Sequence, residues 1–227
     1  MTLNEDRVGR LLDRLHREAD ATDRPLFEEM MKQAGDGGME GAIAELVAAS
    51  ANYRQVASDF GGNFLAVSPG YCRFLYALAR AVQAKRIVEF GTSMGVSSIY
   101  LAAALRDNGG GHLIGSELEP AKAARARAHL DAAGLLDLVD IREGDALDTL
   151  RDIGGEVDLL LIDGAWPLYL PVLKLIERHL RPGAIVVAEN AFAQDYLDYV
   201  RDPAHGYIWQ TLPIDEGRGN EFAVKVG

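Results

Sequence analysis

The stretch that most constrains this chain is Arg86 to Leu105, RIVEFGTSMGVSSIYLAAAL. Ile87, Val88, Glu89 and Phe90 make a short, mostly apolar run that ends at a glycine. Such a run suits a parallel strand covered on both faces. Gly91 and Gly95 permit a tight turn and let backbone approach a ligand without a Cβ in the way. Ser97 and Ser98 then fall at a helix start, where unpaired N–H groups and the positive dipole end favour an anionic group. Glu89, at the strand's carboxyl end, can face a cation. A ligand carrying both a carboxylate and an ammonium fits that pairing. An ordinary strand-to-helix turn has the same pattern, so this stretch alone leaves both readings open.

From Pro69 onward the chain alternates regularly. The spacing predicts helix 70–84, strand 86–90, helix 96–106, strand 112–117, helix 120–133, a strand near 139–142, a short helix 146–152 and strand 157–163. Helix 168–180 is expected to stop at Arg181-Pro182-Gly183 before strand 184–189, with one more helix near 194–201. Two last strands, about 207–212 and 221–226, flank Asp215-Glu216-Gly217, a hairpin signal. The pattern predicts an α/β fold with a doubly wound, Rossmann-like sheet, mostly parallel with an antiparallel C-terminal hairpin. N-terminal helices precede it. Val8, Leu11, Leu12 and Leu15 recur at helical spacing, Pro25 opens a second segment through Phe27, Met30 and Met31 ended by Gly35, Gly37 and Gly38, and a third covers Ile43 to Ala49. Residues 1–60 thus read as a helical section serving as a lid, a dimer arm or extra packing, and residues 61–227 as the ligand-binding domain.

Charge narrows the partners. A formal net charge of −11 argues against nucleic acid and anionic membranes. One cysteine, Cys72, excludes an internal disulfide, and no apolar run approaches the ~20 residues that span a bilayer. The first twenty residues are too charged for a signal peptide, so the expected setting is cytoplasmic.

In doubly wound sheets ligands bind beyond the carboxyl ends of the strands. There the sequence places Glu89, Gly91, Ser93, Gly95 and Ser97, then Glu117, Gly144-Asp145-Ala146, Asp163, and Glu189-Asn190. Glu117 lies where an acid can take both hydroxyls of a ribose. Asp145 and the N–H of Ala146 can address an adenine edge, while Asp145 can equally cap helix 146–152. Asp163, Glu189 and Asn190 are oxygen donors from neighbouring strand ends, a set suited to a hard cation such as Mg²⁺. Solvated or helix-capping acids are the plainer alternative.

The ordered run VEFGTSMGVSS, GSELEP, GDA, LLIDGAWPLYLP and RPGAIVVAENAF, followed by DYLDYVRDP, resembles the catechol and caffeoyl-coenzyme-A O-methyltransferases over about residues 65–226. These are metal-dependent class I methyltransferases that use S-adenosylmethionine. The resemblance implies that Glu89, Gly91, Gly95 and Ser97, with Thr92 and Ser93 between them, hold the methionine part of that cofactor. It implies that Glu117 binds the ribose, that Asp145 and Ala146 bind the adenine, and that Asp163 reaches cofactor, metal and reaction alike. Asp163, Glu189 and Asn190 match the family's metal ligands, with Glu189 in place of the usual second Asp. That exchange keeps charge and donor type and lengthens the arm by one methylene.

A second departure bears on the chemistry. The family usually carries a Lys three residues after the first metal Asp, as general base; here that position is Trp166, which has no proton-accepting side chain. A cation alone can acidify a bound hydroxyl, another base can come from elsewhere, or the protein can bind cofactor without the usual transfer. Trp166 can also stack on adenine or wall an aromatic substrate, and Tyr169 and Trp209 can line a substrate pocket. The expected activity is a Mg²⁺-dependent (or other divalent-cation) methyl transfer to a small aromatic vicinal diol, carried out by a homodimer. The competing readings are a cofactor-binding protein of the same fold without turnover, and an NAD-dependent oxidoreductase. The second is disfavoured because Gly91-x-x-x-Gly95 is not Gly-x-Gly-x-x-Gly.

Overall fold

Strands form where apolar side chains alternate between two covered faces. Those strands are β1 Arg86–Phe90, β2 His112–Glu117, β3 Val139–Glu143, β4 Val157–Ile162, β5 Leu180–Ala188, β6 Tyr207–Thr211 and β7 Glu221–Lys225. The computed structural model describes residues 1–34, 38–215 and 219–227. The strands make one sheet in the order β3-β2-β1-β4-β5-β7-β6. β1 to β5 run parallel, and β7 lies antiparallel between β5 and β6. The doubly wound sheet with an antiparallel finish is therefore present.

Helices cover both faces: α1 Asp6–Ala34, α2 Gly38–Ala49, α3 Tyr53–Asp59, α4 Pro69–Ala81, α5 Val96–Asp107, α6 Pro120–Ala133, α7 Ala146–Thr149, α8 Tyr169–Glu177 and α9 Gln194–Arg201. Ile87, Leu113, Leu159 and Leu161 face one core with Leu75, Ile99, Leu101 and Leu130. Their neighbours Val88, Ile114, Leu160 and Ile162 face a second core with Val172, Leu173 and Ile176. This two-residue alternation is what makes each strand apolar throughout. Among the described residues no helix is long and apolar enough to cross a membrane.

Several boundaries differ from expectation: α4 stops at Ala81 and α8 at Glu177, each three residues early, and three further differences bear on the fold. α1 runs unbroken through Pro25, which the sequence reading placed at the start of a new helix. The bond that Pro25 cannot donate would go to Ala21, and both residues are exposed, so water can satisfy that carbonyl. β5 begins at Leu180, before Arg181-Pro182-Gly183, because Val157 pairs with Leu180 and a register shift follows before Leu159 meets Ile185. α7 is one turn, ending at Thr149. The glycine stop at Gly35 and Gly37 and the Glu216-Gly217 turn lie outside the described residues.

Strand order reverses between β1 and β4, so the crevice opens beyond their carboxyl ends. There Gly91 has φ +95°, and a Cβ on it would overlap the backbone carbonyl of Asp163. The two strand exits can come this close only with glycine at residue 91. Gly91→Ala should lower stability by about 2 kcal/mol or more. Urea unfolding measures this, and a midpoint within error of the parent would contradict the close approach.

Candidate active site

Sheet register lines up the site. Phe90 pairs with both Ser116 and Ile162, Ile162 pairs with Ala188, and Glu117 pairs with Glu143. One step further, the Asp163 N–H donates to Phe90 O at 2.8 Å and the Glu189 N–H to Ile162 O at 3.0 Å. Gly91, Asp163 and Glu189 therefore stand side by side, with Glu117 and Gly144-Asp145 along the same edge. A chamber of about 490 Å³ lies over this edge. Its walls include Gly91, Ser93, Glu117, Asp145, Ala146, Asp163, Trp166, Tyr169 and Asn190 from the sequence-derived set.

Glu89 is not on that wall. It is 0% exposed, and its carboxylate accepts bonds from Thr92 Oγ1 (3.1 Å), Ser97 Oγ (2.6 Å) and Ser98 Oγ. Burial pushes its carboxyl up, and the three hydroxyls pull it back. Glu89, Thr92 and Ser97 thus brace the turn, and Thr92 and Ser97 also line a small recess beside Gly91, Ser93 and Asp163. Gly95 has a related role: at φ +82° it caps α5, and a Cβ there would stand 2.9 Å from the Ala126 Cβ of α6. Ser93, at φ +47°, donates its N–H to Glu117 Oε2 at 2.7 Å. The Glu119 N–H donates to Glu117 Oε1 at 2.8 Å. Each Glu117 oxygen keeps acceptor capacity for a hydroxyl pair.

Lys122, which sequence reading passed over, also lines the chamber while only 5% exposed. Burial holds its ammonium below the usual lysine range, with Glu117, Asp23 and Glu119 opposing that shift. The same cation counters the burial that raises the Glu117 carboxyl. A lone Lys in the first turn of a helix carries no sequence signal; only its position beside Glu117 reveals it.

Asp145 does two jobs. Its Oδ1 accepts from the Leu147 N–H at 3.0 Å and caps α7, as the plainer reading had it. Its Oδ2 accepts from Tyr53 Oη at 2.5 Å and from Arg54 at 2.7 Å. Burial alone would raise the Asp145 carboxyl, but the Tyr53, Leu147 and Arg54 hydrogen bonds hold it below the usual carboxylate range. Helix α3 is thereby clasped to the strand-end row.

On the opposite side, Trp166 Nε1 donates to Asn190 O at 2.7 Å, and its ring meets Phe192 edge-on at 5.8 Å. Asn190 sits at φ +49° and donates its N–H to Oδ1 of Asn220, which is fully buried in the C-terminal segment. Tyr169 Oη donates to Glu189 O at 2.6 Å. Glu189 is 1% exposed and lies behind the wall that Asp163 and Asn190 line. Burial first, then the charges of Glu189 and Asp163, push the Tyr71 phenol well above the usual tyrosine range. Its hydroxyl is buried with no hydrogen-bond partner among the described residues. Asp163, Glu189 and Asn190 carry oxygen donors of the type a hard cation takes. Among the described residues no group of three His, Cys, Asp or Glu side chains could hold a metal ion.

Trp209 does not belong to the site. It lies on the edge strand β6, 40% exposed, with Arg201 stacked 4.6 Å from its ring. The histidines placed by hydrogen bonds are engaged elsewhere: His16 with Tyr100, His129 with Met94 O, His179 with Arg178 and His205 with Tyr199 O.

A family model described as a methyltransferase domain matches residues 88–191. A catechol O-methyltransferase from Niastella koreensis is 41% identical over 137 residues, covering 59% of this chain and 61% of that protein. A putative O-methyltransferase from Mycobacteroides abscessus is 34% identical over 176 residues, covering 76% of this chain and 77% of that protein. The chain spans only about three-fifths of the length of the Niastella relative. Among solved structures, the O-methyltransferase TomG from Streptomyces achromogenes, involved in tomaymycin synthesis and in complex with SAM, superposes with TM-score 0.66 at 28% identity, covering 81% of this chain and 90% of that one.

The clasp gives a direct prediction. Tyr53→Phe removes a charge-assisted bond of about 1–2 kcal/mol. Amide exchange in α3 should rise about five- to thirty-fold, with exchange in β1 and β4 unchanged. Equal exchange in parent and variant would mean that Tyr53 does not hold α3 down.

Proposed function

The chain belongs to the O-methyltransferase family of these relatives, and we propose that it transfers a methyl group from S-adenosylmethionine to a hydroxyl of a small aromatic vicinal diol, with a divalent cation such as Mg²⁺. The observation that carries the reading is the single row of Gly91, Glu117, Asp145, Asp163 and Asn190 facing one chamber at the β1/β4 switch point.

Glu117 takes the ribose hydroxyls, with its carboxylate aimed by the Ser93 and Glu119 N–H groups, and Lys122 counters part of the burial that raises its carboxyl. Asp145, fixed by Leu147, Tyr53 and Arg54, addresses the adenine edge next to Ala146. Gly91 and Ser93 leave backbone open to the methionine end, where Asp163 adds a negative charge for its ammonium. Asp163, Glu189 and Asn190 would hold the cation. When bound, the cofactor supplies an electrophilic sulfonium methyl and the cation supplies Lewis acidity that lowers an acceptor hydroxyl's pKa.

The chain's own part is orientation and charge placement in a site sheltered from water. Trp166 cannot accept a proton: its N–H is spent on Asn190 O, and its ring is held by Phe192. It serves as an aromatic wall beside Asn190, where a planar acceptor can lie against it. Asp163, three residues before Trp166 and on the same chamber wall, orients the acceptor hydroxyl.

The test is methyl transfer to catechol with and without EDTA, beside calorimetric binding of S-adenosylhomocysteine. Asp163→Asn should cut turnover by at least about 10³-fold while S-adenosylhomocysteine binding weakens by less than about ten-fold. EDTA should abolish turnover in the parent. Full activity in EDTA removes the cation from the account, and cofactor binding without any turnover supports the binding-protein reading instead.

A further inference from the structure

One apolar stripe runs the length of α1, and its two halves cover different things. Val8, Leu11, Leu12, Leu15 and Ala19 bury against the core of the sheet. The same stripe continues through Leu26, Phe27, Met30 and Met31, but these residues overhang the core and line the chamber. Helix α2 adds Ile43 and Leu46 at helical spacing to the same wall. Phe27 and Met31 remain 43% and 39% exposed. A helix face that pays off in core contacts over its first turns thus ends as an uncovered apolar roof.

The chamber's charges all lie elsewhere. Its charged lining residues are Glu117, Lys122, Asp145 and Asp163, on the strand-end floor and the first turn of α6. The polar groups of the cofactor are matched to that floor, so the roof is left for the other reactant. A charged substituent under it would lose its hydration with no partner. An aliphatic one would remove Phe27 and Met31 from water, and the two Met side chains can adapt to its shape.

Resting on the function proposed above, we propose that the acceptor carries an uncharged, sizeable apolar substituent, and that the α1–α2 roof of Phe27, Met30, Met31, Ile43 and Leu46 selects for it. The diol end lies at Asp163, Asn190 and Trp166, and the substituent points away from the sheet toward the roof. Anionic acceptors of the same size are rejected, because among the described lining residues Glu117, Asp145 and Asp163 outnumber the one cation, Lys122, and the described roof residues carry none.

The experiment is calorimetric binding of catechol, 4-methyl-, 4-propyl- and 4-hexylcatechol and 3-(3,4-dihydroxyphenyl)propanoate to the protein saturated with Mg²⁺ and S-adenosylhomocysteine. Kd should fall about three- to four-fold per added methylene until the roof is filled. The propanoate should bind at least about thirty-fold more weakly than 4-propylcatechol. Met30→Gln and Leu46→Gln should each flatten the chain-length dependence while leaving the S-adenosylhomocysteine Kd within two-fold of the parent. With two variants on different helices, misfolding of one does not decide the outcome. A Kd independent of chain length, or equal binding of the propanoate, overturns the roof while leaving the methyltransferase reading intact. Failure of S-adenosylhomocysteine to bind the parent overturns that reading, and the roof's role with it.

Discussion

Where the exits of β1 and β4 meet, the Gly91 backbone lies against the Asp163 carbonyl with no room for a side chain. That contact sets the spacing of the whole strand-end row. Because the ladder continues one step past the strands, through Asp163 N–H to Phe90 O and Glu189 N–H to Ile162 O, the acids follow each other across the edge at strand spacing. Behind the row, Glu89 gathers the Thr92, Ser97 and Ser98 hydroxyls into one buried knot that fixes the start of α5. The turn is therefore braced by its own side chains. Ser93 and Asn190, both at positive φ, store strain at the two ends of the chamber, a common property of functional sites.

The N-terminal section is tied to this row at two places. Asp23 of α1, 4% exposed, accepts from the Phe64 and Leu65 N–H groups and so fixes the strap that leads into α4. Tyr53 and Arg54 of α3 close on Asp145. The first half of α1 packs on the core and the second half lines the chamber, so one helix does both. On the other flank, Asn220 supports Asn190 from the C-terminal segment, and Trp166 locks onto the carbonyl of the same residue. The acceptor side of the chamber thus depends on contacts far apart in the chain.

The fold was legible because the buried parallel strands are apolar on both faces and end in glycine or an acid, a pattern that needs no knowledge of the partners. The strand-end residues were legible for the same reason, since topology alone puts residues 91, 117, 145, 163 and 190 on one edge. What could not be read was which way a side chain turns. Glu89 turns its carboxylate to the Thr92, Ser97 and Ser98 hydroxyls of its own turn, an orientation that strand periodicity does not specify. Trp209 fell on an edge strand, and strand periodicity does not tell an edge from a centre. Pro25 was misread as a helix start because a proline on the solvent side of a helix costs only a bond that water replaces. Lys122 and Tyr53 had no motif at all; tertiary contacts alone give them their places.

The central claim is that one row of strand ends receives a nucleoside at Glu117 and Asp145 and a methionine group at Gly91 and Ser93. A crystal structure of the protein soaked with S-adenosylhomocysteine and Mg²⁺ tests it most directly. The account predicts ribose hydroxyls on the Glu117 carboxylate, the adenine edge at Asp145 and Ala146, and sulfur facing the Asp163–Asn190–Trp166 side of the chamber. Nucleoside density anywhere other than the Glu117–Asp145 end, or none at saturating ligand, would contradict it.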